Sequence, residues 1–141
     1  MGLLSGKIYR NWQIKRSYTM KIKDIQDRYE SILDSTHTLE DCNRSIGLLR
    51  EILHAVTDVH AIDYLESCVA SIGHIKEGIL VCGEAKFNYI VLEEKLKIEW
   101  TTHKRIQLLQ KTEKIFNKKF HHSLYGKLIL DMIREERTKL N

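Results

Sequence analysis

No proline interrupts the 141 residues of this chain. A proline inside a helix removes a backbone donor and clashes with the preceding turn, so its absence leaves long helices open along the whole length. The apolar residues use that opening. From 20 to 34, Ile22, Ile25, Tyr29 and Ile32 recur at steps of three and four, the spacing of one helix face. Ser35, Thr36 and Thr38 then supply residues that end one helix and cap the next, and Thr38 with Asp41 approximates a capping box.

Two seams follow. Leu39, Cys42, Ile46, Leu49, Leu53 and Val56 step 3-4-3-4-3. Leu65, Cys68, Ile72, Ile75, Ile79 and Cys82 do the same after a start at Thr57 or Asp58. Gly73, Gly78 and Gly83 lie off the second seam, and each costs about 1 kcal/mol inside a helix. A break is expected within 73–84, with Gly83 as the turn.

The stretch KFNYIVLEEKLKIEW, 86–100, supports two readings. Phe87, Tyr89 and Val91 alternate, as do Leu96, Ile98 and Trp100, which describes a hairpin turning at Glu93 and Glu94. Glu-Glu-Lys lacks the residues that hairpin turns use. The helical reading puts Tyr89, Leu92 and Leu96 on one stripe, continued by His103, Ile106, Leu109, Phe116 and Phe120. A last helix over about 123–138 would bury Leu124, Leu128 and Met132.

The expected fold is therefore all-α, a bundle of about five helices with one long helix near 84–118. The alternative is α+β with a hairpin at 86–101. Residues 1–19 form a basic arm and 20–141 a single helical domain. A helix over 84–118 would run about 50 Å, more than a chain of this size can cover at both ends. Self-association is the expected remedy, with Leu39, Cys42, Ile46, Leu49, Leu53, Val56, Leu65, Ile72, Ile75 and Ile79 as the core or oligomer seam.

The net charge of +4 conceals segregation. Residues 1–23 carry Lys7, Arg10, Lys15, Arg16, Lys21 and Lys23 and no acid. Residues 24–100 carry seven bases and fifteen acids, a balance of −8. Residues 101–127 return to +6, with seven bases against Glu113. Aromatic residues sit among the bases: Tyr9, Trp12 and Tyr18 in the first block, Phe116 and Phe120 in the second. Lysines can neutralise phosphates and aromatic rings can stack on unpaired bases. The candidate nucleic-acid-binding set is Lys7, Arg10, Trp12, Lys15, Arg16, Lys21, Lys23, Lys111, Lys114, Lys118 and Lys119.

Catalytic patterns are sparse. His54 and Asp58, or His60 with Asp63 and Tyr64, have helical spacing, but two ligands without a third from elsewhere make no metal site. No phosphate-cradling glycine motif occurs, and no cofactor is expected. Cys42, Cys68 and Cys82 are odd in number, show no CxxC spacing and fall on apolar seams, which fits small core residues in a reducing, cytoplasmic setting. No apolar run reaches transmembrane length. The acid-poor start, with Leu3, Leu4, Ile8, Trp12 and Ile14, also has the composition of a mitochondrial presequence. Abundant lysine and isoleucine fit an AT-rich coding genome, such as that of many phages.

The expected function is a non-enzymatic, self-associating helical protein that binds nucleic acid, single strands preferred, as an accessory factor. The alternative is an adaptor, inhibitor or assembly subunit docking on an acidic protein surface.

Overall fold

The computed structural model describes residues 21–140, so the basic arm over 1–19 lies outside it. The described chain is helical: α1 (Ile22–Asp34), α2 (Leu39–Ala55), α3 (Val59–Cys82), α4 (Glu84–Ile98), α5 (Thr102–Lys119) and α6 (Leu124–Thr138). The helices group into two compact units that divide between Val81 and Cys82.

In the first unit, polar side chains fix the turn between α1 and α2. Thr38 Oγ1 accepts from the Asp41 amide at 3.0 Å, and Asp41 Oδ2 accepts from the Thr38 and His37 amides at 3.1 and 3.0 Å. That is the expected capping box, completed by Arg44, which donates to Asp41 Oδ1 at 3.0 Å. Thr36 gives its one hydroxyl hydrogen to the Ile32 carbonyl, so Ser45 donates to Thr36 Oγ1 at 2.6 Å. This pairing turns α2 slightly from the expected seam. Cys42, Ser45, Leu49 and Ile52 are buried, while Ile46 and Leu53 are half-buried. On α3, Asp58 Oδ2 caps the first turn by accepting from the Ala61 amide at 3.0 Å. Ala61, Leu65, Cys68, Ile72 and Ile79 are buried, Ile75 half-buried, and the helix runs through Gly73 and Gly78 without a break.

The break comes at Gly83, as the sequence suggests. Its φ of 89° and ψ of 156° lie in a region that side chains with a Cβ rarely enter.

In the second unit, α4 replaces the alternative hairpin at 86–101, and no strand occurs among the described residues. Glu93, Glu94 and Lys95 stay on the exposed side of a helix that buries Leu92 and Leu96. Leu109, Phe116, Ile129 and Ile133 complete that core, with Tyr89, Phe120, Tyr125 and Met132 at its edge.

Two expectations fail here. The helix expected over 84–118 is two helices, separated at residues 99–101. Arg105 holds the break, donating through Nη1 to the Leu96 and Glu99 carbonyls, which the end of α4 leaves without helical partners. The length argument for self-association goes with the long helix. On α6, Leu124 is 79% exposed and Leu128 is also exposed. Tyr125 instead packs its ring 4.7 Å from that of Tyr89, which turns Ile129 and Ile133 inward.

Candidate nucleic-acid interface

The sequence of α5, THKRIQLLQKTEKIFNKK, has two clean sides. Ile106, Leu109 and Phe116 are buried. Diametrically opposite, Lys104, Gln107, Lys111, Lys114 and Lys118 step 3-4-3-4 and are all exposed. From 104 to 118 the rise is about 21 Å, so four lysines form one straight row. The only acid on the helix, Glu113, is half-buried and lies towards the other side. Lys119 stands off the row, in the last turn with Lys118, where cations favour the helix dipole.

Each end of the row carries exposed rings. Beyond Phe120, whose amide closes on the Phe116 carbonyl at 2.8 Å, His121 and His122 lie with ring centroids 4.4 Å apart. Before α5, in the link from α4, Trp100 is 89% exposed.

The charge is divided unequally between the two units. Residues 82–140 carry thirteen Lys and Arg against eight Asp and Glu, a balance of +5. Residues 21–81 carry six against eleven, a balance of −5.

The sequence-derived candidates divide accordingly. Lys111, Lys114 and Lys118 share the α5 row. Lys21 and Lys23 stand at the start of α1, where Lys23 pairs with Asp27 at 3.6 Å. Lys7, Arg10, Trp12, Lys15 and Arg16 lie outside the described residues. Sequence reasoning missed Lys104, Gln107 and Trp100. The first two fall in line with Lys111, Lys114 and Lys118 once the polar residues of 102–119 are placed on one helix.

A second polar cluster is structural in character. An open groove of about 500 Å3 is lined by Leu96, Arg105, Met132, Glu136 and Lys139, among others. Glu136 Oε1 lies 3.2 Å from Arg105 Nε, and Oε2 accepts from Lys139 at 2.9 Å. Burial pushes the Glu136 carboxyl up, but the Lys139 hydrogen bond and the Arg105 guanidinium outweigh it and hold the group below its ordinary value. The carboxylate thus stays ionised and ties α6 to the break between α4 and α5.

The catalytic candidates do not assemble. His54 and His60 are exposed, Asp58 is occupied as a helix cap, and among the described residues no cluster of three or more His, Cys, Asp or Glu side chains suits a metal. Cys42 and Cys68 are buried and Cys82 half-buried, and none of the three is in a disulfide. Burial pushes the Cys68 thiol up, against the hydrogen bonds of Tyr64 and Ser67, and the neighbouring Tyr64 phenol is pushed up to about 12, chiefly by burial. Both groups therefore stay protonated near neutral pH, which suits packing rather than proton transfer. No helix among the described residues is long and apolar enough to cross a membrane.

Set against family models, curated proteins and solved structures, the chain matches none of them.

Proposed function

We propose that this protein is a non-enzymatic nucleic-acid-binding accessory factor that docks through the lysine row of α5, with the N-terminal basic arm as a second contact. The observation that carries the reading is the row itself: Lys104, Lys111, Lys114 and Lys118 aligned opposite the buried side of one helix. Solubility alone asks for mixed charge signs on a surface, and this side of α5 has one sign. A row of ammoniums about 21 Å long suits a polyanion whose charges also recur along a line. Self-association belongs to the proposal through exposed Leu80 and Val81 on α3 and Leu124 and Leu128 on α6.

The test is direct binding of the full chain to fluorescein-labelled 20-nucleotide single strands and 20-base-pair duplexes, of both DNA and RNA, in 50 mM salt. The expected result is binding that weakens steeply as salt is raised, since each neutralised phosphate releases counterions. Absence of binding to all four would overturn the reading and leave an acidic protein surface as the partner of the row.

A further inference from the structure

From the setting of Trp100 we infer that it is a base-stacking residue of the α5 surface, which makes that surface a site for single-stranded rather than duplex nucleic acid. The inference rests on the docking role given to α5 above and adds a residue and a ligand class to it.

Three observations carry it. First, Trp100 is 89% exposed although tryptophan is among the side chains that gain most from burial. Its neighbours in the chain give it no helix to pack with, because residues 99–101 are the break that Arg105 holds open. Second, it lies four residues before Lys104, the first member of the row. Four residues of chain reach at most about 14 Å between Cα atoms, so the backbone of Trp100 adjoins that of the first member of the row. Third, α5 contributes no large exposed apolar side chain beside its lysines. A helix that lies on a membrane needs an apolar stripe next to its basic one, so the row favours a polyanion in water over a lipid surface. A paired duplex offers an indole no free base face, because its bases are already stacked on one another. An unpaired base supplies that face, at about 1–3 kcal/mol per base.

The chain has two tryptophans, so Trp12→Phe leaves Trp100 as the sole indole. In that background, titration with oligo-dT and oligo-U should quench tryptophan fluorescence, and a duplex should not. Trp100→Ala should weaken single-strand binding about 5- to 150-fold, which is the stacking contribution of one base. The salt slope should be unchanged, because stacking releases no counterions, and Trp100→Phe should restore most of the affinity. The side chain is exposed, so unfolding does not confound the variant, and circular dichroism verifies this. If the wild-type chain binds no nucleic acid, the docking role itself fails. If it binds and Trp100→Ala binds single strands equally well, only the stacking inference fails. Binding to anionic vesicles that Trp100→Ala abolishes, with oligonucleotide binding untouched, would overturn the inference in favour of a membrane contact.

Discussion

Replacing Arg105 by Met keeps the length of the stem and removes its charge. The guanidinium serves two groups: the carbonyls of Leu96 and Glu99, and the Glu136 carboxylate, whose side chain is only 7% exposed. Stripping one partner from a buried ion pair costs about 3–5 kcal/mol. Here Lys139 still bonds Glu136 Oε2, and the groove is open to water, so the expected loss falls below that range, at about 2–3 kcal/mol. Glu136→Leu removes the charge that needed a partner and should cost less, about 1–2 kcal/mol. The two residues touch, so their effects should not add. The double variant should lose no more than Arg105→Met alone, a coupling of about 1–2 kcal/mol. Urea unfolding followed by far-ultraviolet circular dichroism at pH 7 reads all three, and the Arg105→Met loss corresponds to a midpoint shift of about 1–2 M. An Arg105→Met midpoint equal to wild type, or a double variant whose loss is the sum of the two single losses, would refute the role given to this pair.

Further expectations follow from the same structure. The Glu136 carboxyl is held below its ordinary value of 4.5, so its contribution is complete above that value and is lost as pH falls through the lower folded one. Acid titration of stability should therefore be shallower in Glu136→Gln than in wild type, and parallel curves would contradict the shift. Gly83→Ala meets no atom within 4 Å but must adopt a φ of 89°, which should cost about 1–3 kcal/mol by thermal unfolding. An unchanged melting temperature would mean the turn has another conformation in solution. Leu124→Gln with Leu128→Gln should leave stability within about 0.5 kcal/mol of wild type, because both side chains are exposed. Light scattering of that variant should give a smaller mass than wild type if α6 is a self-association surface. Deleting residues 1–19 removes four positive charges and should flatten the salt slope of binding by about 3 to 4 units.

Local chemistry made most of the helices legible. The Thr38 and Asp41 pair, the Asp58 cap and the turn at Gly83 each act within a few residues, and all were readable as such. The break at 99–101 was not, because its cause is a guanidinium reaching back six and nine residues and across to Glu136 on another helix. The local mark in Glu-Trp-Thr-Thr is weak: Thr101 is the N-cap of α5, but its side chain makes no capping hydrogen bond. The side of α6 was misread for a similar reason. Leu124 and Leu128 look as apolar as Tyr125 and Ile129, and only packing against Tyr89 decides between the two stripes. On α2, a hydroxyl pair places Ser45 inside, where apolar counting had put Ile46. The candidate interface was half-legible. The basic block over 101–127 was visible as charge, but its order as a row appears only when Lys104 and Gln107 are placed on the same helix as Lys111, Lys114 and Lys118.

The row's claim is most directly tested by the salt dependence of binding. Affinity of the full chain for a labelled oligo-dT 20-mer is measured by fluorescence anisotropy across 50–300 mM salt. The same is done for the variant with Lys104, Lys111, Lys114 and Lys118 all changed to Gln. Four single-strand phosphate contacts contribute a slope of about −3 in log affinity against log salt. The variant should therefore bind more weakly at 50 mM salt, with a slope shallower by about 3 units and an unchanged helical spectrum. Equal slopes for the two proteins would contradict the assignment of α5 as the docking surface.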